Sequence, residues 1–217
     1  MKKRLKLLGA AILVLSIKTS AQNSEIVQDT AYMNVVQQRA AKIVDKMGLS
    51  GAAQKKSIQN KIAWQYYNLN EIYKKRDSAL SILKTDTANK AARKQRITEA
   101  AEKSVDSLHP VFLTELAKEI DTVQVNAVKD GMTYDVLHVT YKAYQEMLPD
   151  LTTGQKQQIY NWLVEAREHA MDAESSEKKH AWFGKYKGRI NNYLSAQGIN
   201  MKQATLDWQK RIREKRE

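Results

Sequence analysis

Only two prolines and eight glycines punctuate a chain of 217 residues, and most of the glycines fall where a periodic apolar pattern stops. A chain with so little turn chemistry has few places to reverse sharply, which disfavours a many-stranded sheet and favours helices joined by short loops. The apolar spacing agrees. Val36, Ala40, Ile43, Val44 and Met47 recur at intervals of three and four, and Gly48 follows as a C-cap. Ser50 is placed to cap a long helix through "AAQKKSIQNKIAWQYYNLNEIYKKRDSALSIL". Asp86 opens another, which Pro110 should kink or end. Further helices are expected over 112–129, 152–174 and 177–197, and after Asn200. "TYDVLHVTY" alone alternates like a strand, and it is too short for a sheet of its own. The expectation is an all-α, single-domain bundle of about six to eight helices, with one short irregular or β-like segment near 134–141.

The first residues add a compartment. In "MKKRLKLLGAAILVLSIKTSAQ" a basic start precedes an apolar run from Leu7 to Ile17 and a short polar stretch ending at Ala21. This is the pattern of a secretory signal peptide over 1–21, and the run is too short to anchor the chain across a bilayer. Cleavage near Ala21 is expected to leave 22–217 as one helical domain, periplasmic or secreted and without a stable membrane anchor. The absence of cysteine excludes disulfides, thiolate metal sites and a lipid on the mature N-terminus. Five basic residues and no acid lie in 1–21, so the remaining chain carries +7 of the full +12. A basic surface favours anionic partners, and export argues against nucleic acid. Nothing in the sequence sets an oligomeric state.

The segment "AREHAMDAESSEKKHAWFGKYKGRINNYLSAQG" (166–198) holds two of the four histidines and three of the eight glycines. On a helical projection Glu165, His169 and Asp172 share a stripe beside Trp162. In the next helix Phe183, Ile190 and Leu194 form a core stripe, with Trp182, Tyr186, Arg189 and Tyr193 alongside. Asn192 flanks a face of small residues that includes Gly184 and Gly188, where a close backbone or a ligand is expected. The short connection "AESSEKK" predicts an antiparallel hairpin. That pairing sets His169 and Asp172 near His180 and Trp182, and Trp162 and Glu165 near Arg189 and Tyr193. The residue types suit a sugar, whose C–H faces lie on aromatic rings while Arg, Asn and carboxylates take the hydroxyls. The same residues also suit core aromatics with their polar tips in solvent. Glu165, His169 and Asp172 diverge along one helix and would need His180 to enclose an ion, so no metal or other cofactor is expected. Glu165 or Asp172 beside His169 has the chemistry of an acid or base. No Ser/His/Asp order, phosphate loop or nucleotide fingerprint is present, and no catalytic residue is assigned.

"MLPDLTTGQ", the 166–198 segment and Trp208 together resemble the exported family known as domain of unknown function 3826. The resemblance covers most of 22–217 and is densest from Tyr134 to Trp208. It implies an exported, sugar-binding protein of glycan-degrading Gram-negative bacteria, and it brings no established catalytic or binding residue. "LSGAAQKKSI" and "LTTGQKQQI" resemble the motif of the LTxxQ periplasmic chaperones, the second in its spacing and the first with one extra residue. A hydrophobic staple followed by a cap generates the same pattern. The function expected is therefore an exported, non-catalytic carbohydrate-binding or glycan-utilisation accessory protein, with carbohydrate as its partner and, on charge, an acidic glycan. An LTxxQ-type chaperone is the alternative, and a glycan-active enzyme the third reading.

Overall fold

A computed structural model describes residues 30–83 and 89–215. The signal-like segment and the Asp86 cap lie outside the described residues. Helix α1 (30–44) tightens into a 3-10 turn at Asp45–Met47 and stops at Gly48, whose φ of 67° is the left-handed conformation that glycine adopts without strain. Then come α2 (Ala52–Ile82), α3 (Lys90–Ala117), α4 (Thr122–Met132), α5 (Val136–Met147), α6 (Thr153–Met171), α7 (Ser176–Ala196) and α8 (Met201–Glu214). The protein is a single all-α domain, with no strand among the described residues. No helix among them is long and apolar enough to cross a membrane.

Several boundaries differ from the periodicity. The β-like alternation near 134–141 resolves into three turn residues, Thr133 to Asp135, and the start of α5. Tyr134 and Asp135 both hold left-handed conformations (φ 59° and 58°), so the irregular part is a sharp corner, not an extended strand. The helix expected over 112–129 is two helices. Asp121 ends the first run and caps α4 through a reciprocal box with Gln124, a break that an unbroken apolar spacing conceals. Pro110 neither ends nor divides α3, which continues to Ala117. Ser50 does not cap α2; the cap position is Gly51, with no side-chain bond.

Thr152 does cap α6. Its hydroxyl accepts from the Gln155 amide at 3.2 Å, and Gln155 Oε1 accepts from the Thr152 amide at 2.9 Å. Buried Leu151 precedes this box, as buried Ile120 precedes the box at Asp121. The Leu-Thr-x-x-Gln spelling is thus capping chemistry, which supplies acceptors for unpaired helix N–H groups.

Burial divides into two clusters. The first joins α1, α2, the end of α3 and α4, with Ile58, Ile62, Leu116 and Met132 fully buried, and it recruits Met171 from the end of α6. The second joins α5, α6 and α7 around Leu137, Ile159, Leu163, Phe183, Ile190 and Leu194. Gly131 permits α4 to close on α1, since a Cβ there would fall 2.7 Å from Ile43 Cγ2. Helix α8 contributes no buried residue and lies against α5 and α7, where Arg211 Nη2 donates to the Glu146 and Met147 carbonyls at 3.0 and 3.2 Å.

Candidate functional site

The connection between α6 and α7 is four residues, Asp172 to Ser175, so the two helices form the antiparallel hairpin that its shortness predicts. Ser175 caps α7 by accepting from the Lys178 amide. This turn stands where the two apolar clusters meet, and a polar network fills the seam between them.

Asp172 is its centre. Buried to 6% exposure, it accepts from Gln65 Nε2 of α2 at 3.1 Å and pairs with His109 Nδ1 of α3, while its backbone carbonyl accepts from the Tyr73 hydroxyl at 2.8 Å. The hydrogen bond to Asp172, then the one to Glu168, holds the His109 imidazole at a pKa of about 9, so it is an imidazolium at neutral pH. Burial raises the Glu168 carboxyl, but bonds from His109 and Lys129 outweigh that and bring it to about 2. One residue back, the buried Arg167 guanidinium bridges to α4, with Nη1 to Asp130 Oδ1 and Nη2 to Asn126 Oδ1, both at 2.7 Å. Lys179 is also buried, and its Nζ donates to the Ala170 and Met171 carbonyls at 3.0 and 2.7 Å, closing the C-terminal end of α6. Burial carries its pKa down to about 8.

Two clefts border this seam, sharing Tyr73, Ala173 and Glu174. An acidic cleft of about 670 Å³ lies between α3 and the α6–α7 hairpin, with His109, Glu168 and Asp172 lining it and His169 and Trp182 from the hairpin. The His169 and Trp182 rings stack at 4.4 Å between centroids, 16° from parallel. Glu102 and Asp106 of α3 also line this cleft and join no ion pair among the described residues. A tyrosine cleft of about 740 Å³ lies between α1, α2, α4 and the same turn, lined by Tyr32, Tyr66, Tyr73 and Tyr134.

The ten residues singled out from sequence do not form one site: seven fall into two groups and three lie apart from them. His169, Asp172 and Trp182 line the acidic cleft. Trp162, Glu165, Arg189 and Tyr193 meet on the outer face of the hairpin, in the register that its antiparallel pairing predicts. There Arg189 Cζ lies 4.6 Å above the Trp162 ring, Arg189 Nη1 donates to Glu165 Oε2 at 3.2 Å, and Tyr193 meets Trp162 edge-on at 5.1 Å. Tyr186 is buried at 8% exposure and belongs to the second apolar cluster, linking the two groups. His180 turns away from His169 and stacks on Tyr134 at 5.8 Å, beside the tyrosine cleft. Asn192 is exposed on the hairpin. Gly184 and Gly188 do not receive another backbone; a Cβ at either meets nothing within 4 Å, and their face is open to solvent. Sequence reading missed His109, Gln65, Tyr73 and Lys179. Their partners lie far along the chain or across the helical turn, and no local spacing marks them.

A family model described as Protein of unknown function (DUF3826) matches residues 33–214. No curated protein matches the chain.

Proposed function

The chain belongs to that family, and from this premise we propose that it is an exported, non-catalytic carbohydrate-binding protein that serves glycan utilisation. One observation carries the reading. The partly exposed His169–Trp182 stack, with Lys185 Nζ 4.9 Å from the centre of the Trp182 ring, sets aromatic and cationic groups at the edge of a cleft whose wall offers Glu102 and Asp106 as acceptors. A pyranose presents an apolar C–H face and a rim of hydroxyls, and this pairing of ring and carboxylate suits both. The Trp162–Arg189–Glu165 ladder lies further along the hairpin and supplies a second ring and a further set of polar groups for a longer chain. The aromatic groups are held by the hairpin's packing, which limits the ordering that a ligand must impose. His109, held between Asp172 and Glu168, offsets part of the negative charge of the cleft.

Calorimetry against neutral and pectic oligosaccharides tests the reading. Binding in the micromolar to millimolar range is expected, with Trp182→Ala weakening it about tenfold or more through the loss of a stacking ring. Arg189→Ala should weaken longer ligands more than short ones. The thermal transition of both variants should stay cooperative, because Trp182 is only partly buried and Arg189 is exposed. No binding at millimolar sugar would end the proposal, as would loss of folding in both variants.

A further inference from the structure

The tyrosine cleft carries a charge imbalance that the fold leaves uncompensated. Arg39, Lys42 and Lys46 stand at spacings of three and four along α1 and its terminal turn, exposed, and all line the cleft. None has a carboxylate within ion-pair reach among the described residues. Of the three carboxylates on the other walls, Asp130 and Glu174 are paired with arginines and the exposed Asp135 is not. Asp130 Oδ1 is held by Arg167, and its Oδ2 lies 3.1 Å from His138 Nε2. Asp135 is 3.9 Å from the same ring nitrogen, and Glu174 is held by Arg76. Buried Lys179 adds a fourth cation to the lining. Burial lowers its pKa, Asp172 opposes that, and Arg39 lowers it further. Like charges so placed raise the free energy of the empty site, and an anion between them relieves it.

The rest of the lining argues for more than a simple ion. The volume of about 740 Å³ is that of an organic ligand. Tyr32, Tyr66, Tyr73 and Tyr134 line the cleft, with Arg76 over one face of Tyr73 and Lys179 over Tyr66, and Asn70 and Ser176 add neutral hydrogen-bonding groups. Tyr134 is 55% exposed and held at φ 59°, a conformation unfavourable for an aromatic residue, with its ring steadied on His180. Such strained positions cluster at ligand clamps.

We propose that the tyrosine cleft is a second binding site, taking an acidic oligosaccharide. Its carboxylate or sulfate groups lie along the Arg39–Lys42–Lys46 face and its sugar rings lie against the tyrosines. The saccharide part of this inference rests on the function proposed above; the anionic part rests on three lining cations that have no carboxylate partner among the described residues.

The test is calorimetry on the full chain with a short oligogalacturonate, a sulfated galactan oligosaccharide and a neutral galactan oligosaccharide as probes. A triple variant, Arg39→Gln/Lys42→Gln/Lys46→Gln, is compared with Lys202→Gln/Lys210→Gln/Arg213→Gln, which removes equal charge from α8. Three exposed charge contacts together correspond to about tenfold in affinity for an acidic probe. That loss is expected in the cleft triple, with less than about twofold in the α8 triple and no change for the neutral probe. The preferred acidic probe distinguishes carboxylate from sulfate. Equal losses in the two triples mean general attraction to a basic surface and overturn the proposal. Neutral binding without acidic binding overturns it while leaving the proposed function intact. Failure of all three probes overturns both.

Discussion

Arg167 is the side chain whose removal should disturb the molecule most. It is nearly inaccessible, it bonds Asp130 and Asn126 on another helix, and its Nε has no partner of its own. A buried guanidinium is retained here because its fork reaches two acceptors at once. Arg167→Leu leaves Asp130 largely buried with only His138 beside it, and should lower stability by about 3 kcal/mol in urea unfolding. Arg167→Lys should recover less than half of that, since one ammonium cannot span both acceptors. His109 makes a prediction about pH. Its folded pKa of about 9 stands above the ordinary 6.5, so its contribution is fully present below pH 6.5 and is lost as pH rises through 9. Glu168 acts in the opposite direction. Held at about 2 against 4.5, it stabilises above pH 4.5 and ceases to do so as pH falls towards 2. Lys179 is held at about 8 against 10.5, so the folded state releases that proton first and gains stability from pH 8 to 10.5. From these groups, unfolding free energy should therefore fall between pH 6.5 and 8, stay level between about 8 and 9, and rise again above 9 as Lys179 alone contributes. His109→Gln should abolish most of the fall. A variant that keeps the wild-type slope would show that another group supplies it.

Among the helices, the glycines separate what periodicity reveals from what it hides. A sequence shows that Gly184 and Gly188 sit inside a helix, and close packing is the natural inference. The structure puts both on an open face, where glycine contributes only backbone freedom to the unfolded chain. Gly184→Ala and Gly188→Ala should each stabilise the protein by about 0.5–1 kcal/mol. Gly131 reads as a mere helix stop, yet it is the glycine at which α4 closes on α1. Gly131→Ala should destabilise by about 1–3 kcal/mol, because the buried Ile43 side chain must shift. Thermal melts of the three variants decide the matter, and equal shifts would refute this assignment of their roles. Helix number, the α6–α7 hairpin and the Thr152 cap were legible because each depends on residues within a few turns. The corner at Tyr134–Asp135 was not, because alternating apolar and polar residues suit a strand and the first turn of a half-buried helix equally well. Nor was the break at Asp121, whose cap interrupts the hydrogen bonding without interrupting the apolar spacing.

For the whole molecule, the pairing within the hairpin was legible and the seam was not. Trp162, Glu165, Arg189 and Tyr193 lie close in sequence, and antiparallel packing alone brings them together. Asp172 lay in the predicted stripe beside Glu165 and His169, but it turns inward to Gln65 and His109, partners supplied by α2 and α3. No spacing within one helix carries that information. The division into two apolar clusters has a kinetic meaning. The second cluster is assembled almost entirely from consecutive helices, α5 to α7, so its contacts close short loops. The first needs α1 brought against α4, and it is complete only when Met171 arrives from α6. Low contact order speeds assembly. During refolding, amides of α5–α7 should gain protection from hydrogen exchange before those of α1, a sequence that pulse labelling resolves. In a chain made from its N-terminus, the part synthesised later would then fold first. The earlier helices would wait, unburied, for a methionine near the end of α6 to complete their core.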